Sequence, residues 1–166
     1  RCFEVHERIL GAEHSLTLTS AINLGSSLHE TGDYVRAESL FNRCLDAGEH
    51  TLGAEHPLTL HSLSHLGLLL ESKGDYDRAE SLLRRCLEVR KRILGAEHPL
   101  TLVSLNNLGS LLNSKGDNAG AKPFFRRCVE VSERTLGVDH PFTLEFANAF
   151  GMLLRSMGNY AKAEPL

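Results

Sequence analysis

Apolar and polar residues alternate along this chain with the period of an α-helix. Leucines recur three and four residues apart in one representative segment: Leu60, Leu63, Leu66 and Leu70. This spacing places them on one face of a helix and leaves the opposite face polar. The segment 76–94 shows the same period, so the pattern predicts pairs of amphipathic helices.

Short polar signals mark where these helices begin and end. Pro57 follows His56 at a helix start, where the missing proline N–H costs no hydrogen bond. Gly74 ends that helix, and Asp75 is suited to cap the next one. The signals recur along the chain and predict seven helices, near residues 15–31, 34–52, 57–73, 76–94, 99–115, 118–136 and 141–157.

The pattern repeats every 42 residues. Closely similar eight-residue words begin at Gly11, Gly53, Gly95 and Gly137. Residues 53–94 and 95–136 are identical at 26 of 42 aligned positions. Internal repeats of this length indicate a solenoid, in which stacked units bury a shared core. We divide the chain into the end of a preceding repeat, three full repeats and a truncated repeat: 1–10, 11–52, 53–94, 95–136 and 137–166.

The sequence of the repeat resembles that of a known family. Leu63-x-x-Leu66-Gly67-x-x-Leu70 followed by Ala79 is similar to the tetratricopeptide signature of large and small positions. The 42-residue unit resembles the kinesin light chain and nephrocystin type of this repeat. The resemblance implies an all-α fold, a right-handed α-solenoid of antiparallel helix pairs, with residues 1–166 forming a single array.

Composition narrows the classes of partner. A formal net charge of −3 gives no general electrostatic reason to bind nucleic acid. The longest uninterrupted apolar run extends only from Leu68 to Leu70, so the sequence predicts no membrane span. We also find no phosphate-binding loop, dinucleotide-binding glycine motif or nucleophile elbow. We therefore expect a chain that is not an enzyme and that needs no cofactor.

Cysteine and histidine recur once per repeat, which argues against a shared metal site or a disulfide. Equivalent atoms in adjacent repeats lie at least one helix–helix spacing apart, roughly 8–10 Å. A disulfide requires Cα atoms closer than about 7 Å. We expect the four cysteines (Cys2, Cys44, Cys86 and Cys128) to be reduced thiols, which fits a cytoplasmic location. The four repeated histidines are expected to cap the start of the first helix of each repeat or to bond a neighbouring loop: His14, His56, His98 and His140.

A variable face on the first helix of each repeat is the candidate binding site. In the tetratricopeptide family this face lines the concave groove, so the resemblance implies that a protein or an extended peptide binds there. Asparagine offers donors and acceptors to a peptide backbone, and apolar neighbours such as Ile22 and Leu68 would supply pockets. Arg155 is the only basic residue of the face, so the clamp that some family members use for carboxylate tails is not matched. The candidate residues are Asn23, Ser26, His61, Ser64, His65, Val103, Asn106, Asn107, Ser110, Asn148 and Met152.

Two other functions are consistent with the sequence. The chain could be a structural spacer or a self-associating segment of a larger signalling or motor-linked protein, stacking end to end. Phe142, Phe146 and Phe150 form a stripe that would be exposed at one end. A small-molecule or metal-regulated sensor would rest only on His61 and His65, whose four-residue spacing is compatible with a shared ion.

Overall fold

The computed structural model describes residues 2–159 and Ala163. These residues form α-helices and connecting turns and contain no strand. The predicted helix boundaries agree with the structure to within one residue. The helices are α1 (Cys2–Leu10), α2 (Ser15–Glu30), α3 (Tyr34–Thr51), α4 (Pro57–Ser72), α5 (Tyr76–Leu94), α6 (Pro99–Ser114), α7 (Asn118–Leu136) and α8 (Pro141–Ser156).

The chain divides into two compact units whose boundary lies within α5. Unit 1 is Arg1–Cys86 and unit 2 is Leu87–Leu166. In unit 1, α2 packs against α1, α3 and α4. In unit 2, α7 packs against α6 and α8, and α6 also contacts α8. First helices of neighbouring repeats therefore lie side by side within each unit, and this packing creates the faces considered below.

A histidine caps the first helix of each repeat. The Nδ1 atom of His56 accepts a hydrogen bond from the backbone N–H of Leu58 at 3.2 Å. His14, His98 and His140 make the equivalent bond at the same distance. Each bond satisfies one of the amide groups that a helix start leaves unpaired. The predicted capping role of these histidines is confirmed.

The leucine stripe of the second repeat is buried, as predicted. Gly67 lies in the middle of this stripe, where α4 crosses α5. A Cβ atom at Gly67 would lie only 2.8 Å from Cγ and Cδ2 of Leu83. Gly25 has the same role in the first repeat, where a Cβ would lie 2.7 Å from the Phe41 ring. Glycine at this position therefore sets how closely the two helices of a repeat approach.

The core of unit 2 is more aromatic. Phe146 is completely buried in a cluster with Leu102 and Cys128. Phe142 and Phe150 are partly buried against the same cluster. The expectation that these three phenylalanines form an exposed stripe was wrong, because α8 turns them toward α7 and α6.

Three buried cysteines make equivalent contacts. The Sγ atoms of Cys44, Cys86 and Cys128 lie 3.8, 3.5 and 3.3 Å from the carbonyl oxygens of Leu18, Leu60 and Leu102, respectively. Each contact spans 26 residues and joins the second helix of a repeat to its first. These three cysteines thus occupy small positions in the core, and none of the four cysteines forms a disulfide.

Candidate functional site

The unit 1 face lies on two neighbouring first helices. It consists of Asn23 and Ser26 on α2 and of His61, Ser64 and His65 on α4. Asn23 and His61 are exposed, and Ser26 and His65 are partly buried. Ser64 is only 5% exposed, so packing covers it. The structure thus brings four of the five candidate residues of this unit to an accessible surface.

A hydrogen-bonded pair of histidines lies on the unit 1 face. The Nε2 atoms of His61 and His65 are 2.9 Å apart. The Nδ1 atom of His65 lies 3.3 Å from Oγ of Ser26, which links α4 to α2. The ring of His65 also stacks on Phe41, with ring centroids 5.4 Å apart. Contacts from two other helices thus hold His65, while His61 reaches it from the solvent side.

The unit 2 face is formed by α6 and α8. Its accessible candidates are Val103, Asn107 and Ser110, which are partly buried, and Asn148 and Met152, which are exposed. Val103 also packs against the core cluster of unit 2. The face therefore combines amide groups with apolar surface, as the sequence predicted.

Asn106 is buried, although the sequence predicted that the whole face would be accessible. It is only 8% exposed, and its Oδ1 atom accepts no hydrogen bond from any residue that the structure describes. Ile22, the equivalent residue of the first repeat, is also buried. Side chains three and four residues apart on a helix lie on the same side of it but not in one straight line. The side chain at this position of the repeat therefore points partly into the core. The accessible amides of unit 2 are therefore Asn107 and Asn148.

A shallow cavity lies beside Asn148 and Met152. Its volume is about 200 Å³, and Leu144 and Arg155 also line it. The amide of Asn148 approaches the Met152 sulfur at 4.0 Å. The cavity thus offers an apolar surface, an amide and a cation, which is a suitable combination for one side chain of a peptide.

Leu144 was not among the residues predicted from the sequence. It occupies the same position in its repeat as Leu18, Leu60 and Leu102. Those three residues are 0–3% exposed, whereas Leu144 is 56% exposed. The repeat register therefore predicted a buried residue. Exposure at this position depends on which helix covers α8, and repeat comparison alone does not supply that information.

A larger cavity in unit 1 lies outside the predicted face. Its volume is about 310 Å³, and residues of α1, α2, α3 and the turn after α1 line it, among them Phe3 and Ala47. The other repeats carry Val89 and Val131 where this one has Ala47. The smaller side chain leaves room, and this substitution is the sequence signal for the cavity.

The buried thiols are poorly suited to nucleophilic chemistry. Burial raises the pKa of Cys44 to about 11, although the nearby Arg43 partly opposes this shift. Burial likewise raises the pKa of Cys128 to about 12, against the opposing charge of Arg127. Since the thiolate is the reactive form, these cysteines have a structural role. Within the described ranges, no cluster of three or more His, Cys, Asp or Glu side chains could hold a metal ion.

Antiparallel helix pairs, a glycine at each crossing and a 42-residue period define a helical-repeat protein. The Tetratricopeptide repeat model matches residues 1–49, 22–92, 58–130 and 105–166, which together cover the chain. The chain belongs to the tetratricopeptide repeat family. No curated protein matches it at a significant level.

Solved structures share this fold at low sequence identity. A protein of Podospora anserina, designated a kinesin light chain with nearly identical TPR-like repeats, aligns with a TM-score of 0.76 and 23% identity, over 98% of this chain and 77% of its own. BtubC (BKLC) from P. vanneervenii aligns with a TM-score of 0.76 and 20% identity, over 90% of this chain and 60% of its own. YrrB, a TPR protein with an unusual peptide-binding site, gives a TM-score of 0.60 and 19% identity, over 98% of this chain and 70% of its own.

These comparisons confirm the predicted fold class, the tetratricopeptide solenoid, and the similarity to kinesin light chain-type repeats. Tetratricopeptide membership also supports a protein-interaction scaffold. Among residues 2–159, no helix is both long and apolar enough to cross a membrane.

Proposed function

We propose that the chain is a non-catalytic scaffold that binds an extended peptide, or an extended segment of a protein, along the first helices of its repeats. The observation that carries the proposal is the contrast between positions within those helices. Leucine and glycine are constant at two positions that are buried in the first three repeats: Leu18, Leu60 and Leu102, and Gly25, Gly67 and Gly109. Most positions that vary between repeats, such as those of Asn23, His61 and Asn107, are at least partly accessible.

The chemistry of these positions suits a peptide backbone. An asparagine side chain both donates and accepts hydrogen bonds, so it can pair with peptide N–H and C=O groups whatever the peptide sequence. Val103 and Met152 lie beside the amides and would bury apolar side chains of the ligand. YrrB, with a related fold, has a peptide-binding site.

The buried candidates would act differently from the accessible ones. Asn106 lies beneath the surface next to Asn107, and Ser64 lies next to His65. We propose that these two residues shape the face and support its exposed side chains. Replacing Asn106 would therefore disturb packing as well as binding, which makes it a poor test of the site.

The test is a double variant, Asn107→Ala with Asn148→Ala. A peptide would be selected from a random twelve-residue display library on the 166-residue chain, and its Kd measured by fluorescence anisotropy. A net hydrogen bond contributes about 0.5–1.5 kcal/mol, so losing two should weaken binding roughly tenfold or more. Asn42→Ala, on α3 and outside both faces, is the matched control and should bind like the parent. Unchanged affinity in the double variant with unchanged helicity would locate binding elsewhere.

A structural spacer or self-associating segment is the second candidate. The observation that favours it is the exposure of Leu144 and Met152 at one end of unit 2. An apolar surface of this kind is suited to stacking against another chain. Analytical ultracentrifugation over a hundredfold concentration range would detect association, which Leu144→Glu should abolish. A mass that stays monomeric throughout would exclude end-to-end stacking.

We also propose a reducing compartment, the cytoplasm, as the location of the protein. Cys44, Cys86 and Cys128 lie in the core, and none of them forms a disulfide. Reducing compartments are where such thiols persist. Imaging of the tagged full-length protein would test this location.

A further inference from the structure

The hydrogen bonds of Ser26 assign a tautomer to His65, one of the paired histidines of the unit 1 face. The hydroxyl of Ser26 donates its hydrogen to the carbonyl oxygen of Ile22, at 3.1 Å. With its hydrogen placed there, the Ser26 oxygen accepts from His65, and we assign the ring proton of His65 to Nδ1 on this basis. The Nε2 atom of a neutral His65 then has a lone pair, and this lone pair lies on the side of His61.

This arrangement is typical of histidines that bind metals. A ligating imidazole usually donates its second ring N–H to an oxygen atom, which fixes the ring orientation and raises the basicity of the ligating nitrogen. Ser26 provides that oxygen for His65. Stacking on Phe41 further restricts the ring. His65 is thus positioned before any ion arrives, and His61 is exposed, so an ion can reach the pair from solvent.

The ligand type indicates which ions the pair suits. The two Nε2 atoms are 2.9 Å apart, which is the length of a hydrogen bond between the rings, so an ion would take the place of that bond. Imidazole nitrogen suits zinc, copper and nickel ions, and among first-row divalent metals the affinity of a nitrogen site rises towards Ni²⁺ and Cu²⁺. These two ions also form square-planar or tetragonal complexes with nitrogen and oxygen ligands, in which water can fill the positions that the protein leaves open.

We propose that His61 and His65 together bind one divalent transition-metal ion of tetragonal preference, Cu²⁺ or Ni²⁺, through their Nε2 atoms. In the free protein the ring proton of His61 is on its Nε2 atom and lies between the two nitrogens. On binding, this proton moves to Nδ1 of His61 by exchange with water, and both Nε2 lone pairs then face the ion. Because the described residues provide no group of three or more His, Cys, Asp or Glu side chains, water fills the other positions. The site does not depend on peptide binding.

The experiment titrates Ni²⁺ into the 166-residue chain at pH 7.5 by isothermal calorimetry. The chain has nine histidines, so the test must separate a paired site from single ones. His61→Gln is the main variant, since His61 is exposed and its loss should not affect folding. His50→Gln, an exposed histidine on α3, is the matched control. Ser26→Ala tests the positioning hydrogen bond.

We expect one saturable site per chain that weakens at least tenfold in His61→Gln, about tenfold in Ser26→Ala, and less than twofold in His50→Gln. The electron paramagnetic resonance spectrum of a stoichiometric Cu²⁺ complex should show two equivalent nitrogen couplings in the parent and one in His61→Gln. Equal affinity in the parent and His61→Gln would overturn the proposal. So would a single nitrogen coupling in the parent, or several equivalent weak sites per chain.

Discussion

Replacing Gly67 with alanine tests whether the close approach of α4 and α5 determines the packing of a repeat. Alanine is the better helix former by about 1 kcal/mol in a helix interior, so propensity alone predicts stabilisation. The structure predicts the opposite. The new Cβ would lie 2.8 Å from two carbons of Leu83, well inside the optimum of about 3.5–4.0 Å.

The size of the effect follows from the environment of Leu83. That side chain is almost completely buried, so it cannot swing away from an added methyl group. Overpacking of this kind costs about 1–3 kcal/mol. After the gain in propensity, we expect Gly67→Ala to be destabilised by about 1 kcal/mol. Gly109→Ala is the matched control, because there the nearest atom is 3.3 Å away and the net change should be close to zero.

Thermal unfolding followed by circular dichroism is a suitable assay. The melting temperatures are compared as apparent midpoints, because repeat arrays can unfold in steps. A difference of 1 kcal/mol corresponds to roughly 2–4 °C for a chain of this size. Gly67→Ala should therefore melt a few degrees below both the parent and Gly109→Ala. If Gly67→Ala melts at or above the parent, the helices accommodate a methyl group and the packing argument fails.

Three further predictions concern the thiols and the helix caps. A thiol-specific chromogenic reagent at pH 8 should label Cys2 rapidly and should label Cys44 and Cys128 only when the protein unfolds. Fast labelling of Cys44 and Cys128 in the folded state would contradict their burial. Burial raises the pKa of Cys44 to about 11 and that of Cys128 to about 12, above the ordinary value of 9.0. The contribution of these thiols to the free energy of unfolding should therefore be constant below pH 9 and decline as the pH rises toward 11–12. Urea denaturation at several pH values would measure this decline. His140→Ala should lose about 1 kcal/mol through the missing N-cap, measured by urea denaturation, and His140→Asn should recover most of it.

The helices were predictable because each is specified locally and the specification recurs. In every repeat, the first helix has a histidine cap, a leucine stripe and a glycine after its end. Because these local signals agree, they predict the boundaries of the helix well. Phe146 was not placed correctly, because its burial depends on the approach of α7 to α8. Spacing within one helix carries no information on that approach.

The candidate site was only partly predictable for a related reason. Helical spacing identified the face, yet it could not separate Asn107, which is accessible, from Asn106, which is buried. The spacing of His61 and His65 indicated that they could meet. The orientation of the His65 ring depends on Ser26 and Phe41, which come from two other helices and lie more than twenty residues away from it in sequence.

The cysteine contacts bear on how such an array can change in length. Each contact joins residues 26 positions apart inside one repeat, from Cys44 to Leu18 and from Cys128 to Leu102. Unequal recombination between the similar repeats would add or remove 42 residues at a time. Every remaining repeat would keep its own pair of contacting residues after such an event. Genes that encode this architecture can therefore lengthen or shorten the array in whole units without a new core having to evolve.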